Sequence, residues 1–138
     1  MFDVVRTQID IRDLEAAVRD DSYGAAVTFL GIVRDRASDG TAVTGLSYEA
    51  YVPMAVHEFA CIADEARERF GDLRIAIVHR VGDLAIGEIA VALAAASRHR
   101  GVAFDACEFA IDALKSRAPI WKKEHYASGS ALWIRNVC

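Results

Sequence analysis

The sequence predicts an α+β fold, with a mostly antiparallel sheet and about three helices in a single domain over residues 1–138. A chain of 138 residues is long enough for one hydrophobic core and short for two. Its 54% hydrophobic and 26% charged residues are typical of globular proteins. Helical patterns are inserted between strand patterns without the regular alternation of a doubly wound sheet, and no repeat or linker divides them.

Apolar and β-branched runs define the predicted strands, which cover residues 2–9, 25–33, 43–51, 73–81, 88–97, 120–126 and 131–134. A turn around Gly82 and Gly87 joins the fourth strand to the fifth. Residues 35–41 have the composition of an exposed loop.

Three helices are predicted between these strands. Asp10 caps the first, over residues 11–19. The second starts at Pro53, ends at Gly71 and has apolar residues at three- and four-residue steps. The third covers residues 100–116 and cannot continue through Pro119. Its inward-facing residues are predicted to be Ala103, Phe104, Cys107, Ala110, Ile111 and Leu114.

Composition excludes several classes of protein. The net charge of −4 argues against general nucleic-acid binding, and the longest apolar run, residues 89–96, is too short to span a bilayer as a helix. The first residues do not resemble a signal peptide, so a cytoplasmic protein is expected. Cys61 and Cys107 are expected to be buried thiols and Cys138 an exposed terminal residue. The cysteines and histidines have no metal-ligand spacing, so we predict neither a metal nor a cofactor.

A basic segment stands out on this acidic chain. Residues 97–125 contain six Lys or Arg and four Asp or Glu, a charge of +2, so the rest of the chain carries −6. Such a segment suggests that a small anionic ligand or an acidic tail docks there. A solvated surface without a ligand is the alternative.

Two lysines in this segment are candidate catalytic residues. Lys115 falls at the end of a predicted helix, where the helix dipole favours a cation even without a catalytic role. Lys122 lies on the same face of a predicted strand as Ile120 and follows Trp121. If such a lysine is desolvated, its pKa falls and it can act as a nucleophile or a general acid–base.

Other basic residues are candidates for binding or structure. His99 and Arg100 fall at a helix start, which is either an anion site or a basic helix terminus without a ligand. Arg34 ends a glycine-containing strand, a position that is often plain surface. His79 lies in an apolar strand, which favours a hydrogen-bonded core residue over a catalyst.

Four stretches, in this order and spacing, resemble the MoaE family, the large subunits of molybdopterin synthase. They are residues 24–34, 78–84 and 97–100 and, most specifically, the run Leu114-Lys115-Ser116-Arg117-Ala118-Pro119-Ile120-Trp121-Lys122-Lys123-Glu124. The resemblance implies an α/β hammerhead fold and a homodimer of large subunits. A small ubiquitin-like (MoaD-type) subunit at each outer end would complete a heterotetramer.

The resemblance also implies a sulfurtransferase of molybdenum cofactor biosynthesis. The small subunit's Gly-Gly terminus, carried as a thiocarboxylate, would give its sulfur to cyclic pyranopterin monophosphate to form the molybdopterin dithiolene. Lys115 and Lys122 match the family's catalytic lysines. The substrate-binding set would comprise both lysines with Ile32, Val33, Arg34, Lys123, Glu124 and, from across the dimer, His99 and Arg100. Family members often have a longer basic C-terminal tail, for which Arg135 is the only counterpart here.

Two other functions remain open from the sequence. A dimeric binding module could accept the acidic tail without chemistry, although the presence of both Lys115 and Lys122 favours an enzyme. A phosphate-binding protein built around residues 97–100 would lack a P-loop and any Gly-x-Gly-x-x-Gly run.

Overall fold

The computed structural model describes residues 1–136, so the expectation for Cys138 lies outside the described residues. The strands are β1 (Phe2–Val5), β2 (Ala25–Ile32), β3 (Val43–Ala50), β4 (Leu73–Arg80), β5 (Gly82–Ala85), β6 (Ile89–Ser97), β7 (Ile120–Tyr126) and β8 (Ala131–Arg135). The helices are α1 (Ile11–Ala17), α2 (Val52–Phe70) and α3 (Arg100–Arg117). No helix in the described part of the chain is long and apolar enough to cross a membrane.

The strands form two four-stranded sheets. The first has the order β1-β4-β6-β2, in which β1 and β4 run parallel and the other pairs are antiparallel. The second has the order β5-β3-β7-β8 and is antiparallel throughout. With three helices, this arrangement confirms the predicted α+β class and its mostly antiparallel pairing.

Both faces of the first sheet are covered, which explains why β6 is apolar along its length. Val91 and Leu93 point to the larger core, which they share with α2 and α3. The alternate residues Ala92 and Ala94 pack with Leu14 of α1 on the opposite face. Because side chains alternate along a strand, a strand that is covered on both sides loses the apolar–polar pattern.

The helices follow the predicted apolar spacing in part. The predicted face of α2 comprised Val56, Phe59, Ala60, Ala63, Ala66 and Phe70. Phe59, Ala63 and Ala66 are buried, Val56, Ala60 and Phe70 are only partly buried, and Ala55 and Ile62 complete the buried stripe. In α3, Phe104 was predicted to face inward but is 59% exposed. The buried stripe of α3 is formed mostly by alanines, and Phe104 lies beside it. The small side chains allow α3 to approach α2 and β6 closely.

The strand predictions differ from the structure mainly at their ends. β1 stops at Val5, four residues earlier than predicted, because the chain leaves the sheet after pairing with β4. Residues 82–85 were predicted to be a turn but form β5, which pairs with β3. Cys107 is buried as predicted, whereas Cys61 is only partly buried.

Candidate active site

A cavity of about 360 Å³ lies where the end of β2 meets β3, β6, β7 and the last turn of α3. Its lining is formed by Phe29, Leu30, Gly31, Ile32, Arg34, Arg36, Ser38, Leu46, Tyr48, Ala90, Val91, Lys115, Lys122 and Glu124. Five of the predicted site residues are therefore brought together by the fold: Ile32, Arg34, Lys115, Lys122 and Glu124.

The end of α3 places Lys115 at this cavity. The residue before Pro119, Ala118, has the extended conformation (φ −68°, ψ 136°) that a following proline favours, so the helix stops there. Lys115 lies in the last helical turn, near the partial negative charge of the helix dipole. Its Nζ is 3.3 Å from Oδ1 of Asn136, at the end of the described chain.

Strand β7 brings Lys122 and Glu124 to the same cavity by alternation. Ile120 and Glu124 are buried, and Lys122 between them is partly buried, as predicted for residues on one face. In the register of the sheet, Lys122 is opposite Tyr48 on β3. Glu124 is 8% exposed and accepts a hydrogen bond of 3.3 Å from Tyr126 Oη.

Lys123 lies on the opposite face of β7 and does not line the cavity. Its ammonium nitrogen is 5.5 Å from the ring centroid of Trp133 on β8, a cation–π contact. Its role in substrate binding therefore stays a prediction, and this position on the strand gives no support to it.

The end of β2 is irregular where it meets the cavity. The pairing with β6 shifts between Gly31 and Ile32, and Ile32 is 53% exposed at the cavity mouth. A Cβ at Gly31 would lie 2.6 Å from Cγ1 of Val91, so only glycine allows this close approach. Val33 is 3% exposed in the larger core, and Arg34 projects beyond it into the cavity lining.

His99 and Arg100 lie at the other end of α3 and do not reach the cavity of their own chain. The fifteen helical steps from Arg100 to Lys115 correspond to about 22 Å along the axis. His99 is the N-cap residue and makes no side-chain capping bond.

The charge of the cavity suits an anion. Four cationic side chains line it, Arg34, Arg36, Lys115 and Lys122, against one carboxylate, Glu124, which gives a formal charge of +3. Arg36 and Ser38 were not singled out from the sequence, because their loop has the composition of ordinary exposed surface. The one sequence signal for Arg36 was its separation by two residues from Arg34.

His79 is a buried, hydrogen-bonded residue close to this site, as its apolar strand predicted. Its side chain is 0% exposed, and burial lowers its pKa to about 4. The nearby ammonium group of Lys115 acts in the same direction. The imidazole is therefore neutral at physiological pH.

A larger depression of about 780 Å³ lies between α2 and α3 and is a weaker candidate. Its arginines are already engaged: Arg117 pairs with Glu65 and Glu58 across the two helices, and Arg69 stacks over Phe70 and Phe109. Three acidic side chains also line it, Asp105, Glu108 and Asp112. The two arginines and three acidic side chains of the lining give a formal charge of −1, which does not suit an anionic substrate.

The fold and the smaller cavity together define an α+β protein with a basic pocket that holds two lysines and suits an anionic substrate. Residues 4–117 match the sequence model of the family described as MoaE protein. The chain therefore belongs to the MoaE family.

Individual relatives are similar over nearly the whole chain. Molybdopterin synthase catalytic subunits from Nostoc sp. and Bacillus subtilis are each 41% identical over 96% of this chain, covering 81% and 83% of the respective relative. The crystal structure of molybdopterin synthase from Staphylococcus aureus superposes with a TM-score of 0.91 at 38% identity, covering 96% of both chains. The MoaE protein of Burkholderia ambifaria gives a TM-score of 0.81 at 35% identity, with coverage of 98% and 89%.

Proposed function

We propose that this chain is the catalytic subunit of a molybdopterin synthase and acts in molybdenum cofactor biosynthesis. It transfers sulfur from the thiocarboxylated C-terminal glycine of a small ubiquitin-like subunit to cyclic pyranopterin monophosphate, forming the molybdopterin dithiolene. Relatives of that name align with almost the entire chain. The observation that carries the proposal is the single cavity into which the fold gathers Lys115, Lys122 and Arg34.

The charge of the cavity fits both reactants. The thiocarboxylate tail and the cyclic phosphate are anions, and four cationic side chains surround the space between them. The planar guanidinium groups of Arg34 and Arg36 match phosphate oxygens, which supports placing the pterin phosphate at the mouth of the cavity. The two lysines then face the tail.

Each sulfur transfer forms a carbon–sulfur bond to the pterin as the carbon–oxygen bond at that pterin carbon breaks, and the displaced oxygen leaves on the phosphate or as water. Water then adds to the acyl carbon of the tail, the bond between the acyl carbon and the sulfur breaks, and the glycine is released as an ordinary carboxylate. Lys122 stabilises the negative charge that develops on the attacked thiocarboxyl group. Lys115, held at the end of α3, assists the acyl transfer. Glu124 offsets part of the positive charge of the cavity.

A second copy of the chain completes the site in this proposal. His99 and Arg100 lie about one helix length from their own cavity, so they can contribute to catalysis only in a partner's site. Paired at the exposed start of α3, they would add positive charge for the substrate phosphate.

Reconstitution tests the function. The purified chain, the thiocarboxylated small subunit and cyclic pyranopterin monophosphate are combined, and dithiolene-containing pterin is measured. We expect Lys115→Ala to reduce the rate by about a hundredfold or more, as loss of a group that stabilises a transition state does. Arg12→Ala, which removes an exposed cation of α1 outside the cavity, should leave the rate unchanged.

Two other outcomes would change the assignment. A stable complex with the small subunit and no product would support the non-catalytic binding module. Near-normal turnover by Lys115→Ala would keep the function but remove that lysine from its central role.

We also propose a cytoplasmic location, as the sequence suggests. The chain keeps Cys61 and Cys107 as free thiols, which suits a reducing compartment. Fractionation of the native cells, with detection of the chain by antibody, tests the location.

A further inference from the structure

A hydrogen-bonded series of side chains runs from the end of β4 to the cavity. Nδ1 of His79 lies 2.8 Å from the backbone oxygen of Arg80. Nε2 of the same ring lies 3.4 Å from Nδ2 of Asn136, whose Oδ1 lies 3.3 Å from Nζ of Lys115. His79 is 0% and Asn136 3% exposed, so the series is shielded from water until it reaches Lys115.

The chemistry of the groups fixes the direction of every hydrogen bond. A backbone carbonyl only accepts, so His79 donates from Nδ1. Because the buried ring is neutral, its Nε2 carries no proton and can only accept. Asn136 must therefore turn its NH₂ group toward His79 and its oxygen toward Lys115. The backbone carbonyl of Arg80 thus orients His79, and His79 orients the amide of Asn136. As a result, the amide oxygen of Asn136, and not its NH₂ group, faces Lys115.

Stability alone does not explain this arrangement. The preceding residues on the same face of β4, Ile75 and Ile77, are buried in the larger core, and an apolar residue at position 79 would avoid the cost of burying polar groups. The ring of Tyr48 packs edge-on against His79, with the centroids 5.0 Å apart. The groups that face His79 thus come from β3, from Asn136 just after β8, from α3 and from its own strand.

We propose that Asn136 and His79 are positioning residues that hold the amine of Lys115 in its working place in the cavity. Asn136 is the direct partner, and His79 fixes the orientation of the asparagine amide. The inference rests on the proposed function for the role of Lys115 in catalysis. It also assigns a part in the active site to the last residues of the described chain, which the sequence left undecided.

Substitution of Asn136 tests the contact in two ways. Asn136→Ala removes the Oδ1 acceptor that lies 3.3 Å from Nζ of Lys115, and we expect kcat to fall about tenfold to a hundredfold with little change in KM for the pterin. Asn136→Asp keeps the size but cannot donate to His79 and adds a negative charge beside Lys115. An opposite charge at this distance raises a lysine pKa, so the limb of the pH–rate profile that reports Lys115 should move to higher pH.

Two variants separate positioning from general destabilisation. Ser130→Asp adds a negative charge in the exposed turn between β7 and β8, six residues from Asn136 and outside the cavity lining. Val78→Ala truncates a buried neighbour of His79 that points into the smaller core. Both should leave the pH–rate profile in place, whereas His79→Phe, which keeps a ring against Tyr48, should lower kcat.

A second measurement does not depend on turnover. The chain has three lysines, Lys115, Lys122 and Lys123, so ¹³Cε-lysine NMR can follow the titration of each one in the isolated protein. We expect Asn136→Asp to raise the pKa of Lys115 and Ser130→Asp, which adds the same charge farther along the chain, to leave it unchanged. The inference is overturned if the titration of Lys115 and the pH–rate profile are the same in the Asn136 variants as in the wild type. If the wild type forms no product while Lys115 still responds, the proposed function fails and the positioning contact stands.

Discussion

The buried imidazole of His79 should make the protein lose stability in mild acid. Its pKa is lowered from 6.5 to about 4 in the folded chain, chiefly because burial disfavours the charged ring. As the pH falls below 6.5, the unfolded chain binds a proton that the folded chain does not. The free energy of unfolding therefore has its full value above about pH 6.5 and declines as the pH falls toward 4.

The pKa difference corresponds to a loss of about 3 kcal/mol over this range. That is a large part of the stability of an ordinary domain, which is about 5–15 kcal/mol. The carboxyl groups of Asp20, Asp39 and Glu65 have lowered pKa values, so their contributions are lost only at a lower pH, as they are protonated. Between pH 6.5 and 4.5, the change in the free energy of unfolding therefore reports His79 and not these carboxyl groups.

Urea unfolding at several pH values between 7 and 4.5 measures this effect. The wild type should lose stability more steeply than His79→Phe, which has no titrating group at that position, and the difference between the two curves isolates His79. Parallel curves would refute the account, because they would mean that the buried ring accepts its proton as readily in the folded chain as in the unfolded one.

Three further predictions concern packing, charge and thiol reactivity. Gly31→Ala should lower the free energy of unfolding by about 1–3 kcal/mol, because its Cβ would meet Val91. Gly101→Ala in α3, where the space is open, should be neutral or stabilising by up to about 1 kcal/mol, and urea unfolding measures both variants. Arg117→Ala should lower the free energy of unfolding by about 1 kcal/mol at low salt and by less at high salt, because its ion pairs with α2 are partly exposed. Arg67→Ala, which removes an exposed ion pair within α2, should leave the free energy of unfolding almost unchanged. Burial raises the pKa of the Cys107 thiol to about 11, so iodoacetamide at pH 8 should modify Cys61 well before Cys107, and equal rates by mass spectrometry would contradict this burial.

The sequence predicted those parts of the site that depend on a single element. Alternation along β7 was enough to place Lys122 with Ile120 and away from Trp121. Helix termination by Pro119 likewise placed Lys115 at the end of α3. These properties follow from backbone geometry and neighbouring residues alone.

The remaining parts depend on contacts between distant residues. Asn136 is 57 residues from His79 and 21 residues from Lys115 in the sequence, so no local pattern indicates that these side chains are in contact. β5 was missed for the same reason, because its four residues are ordered by pairing with β3 and not by their own propensity. Phe104 shows the converse error, in which a large apolar residue beside the alanine stripe of α3 was assigned to the core by its type.

The length of α3 has a consequence for an assembly of two chains. One end of the helix carries Lys115, and the other carries the residues proposed for the partner's site, so in the proposed dimer each helix would belong to two active sites. In a mixed dimer, one subunit lacking Lys115 and one lacking His99 and Arg100 would concentrate both defects in one site and leave the other intact. Each mixed dimer would then have half of the normal activity, and two inactive proteins mixed in equal amounts would recover about a quarter of the normal activity when their subunits exchange at random.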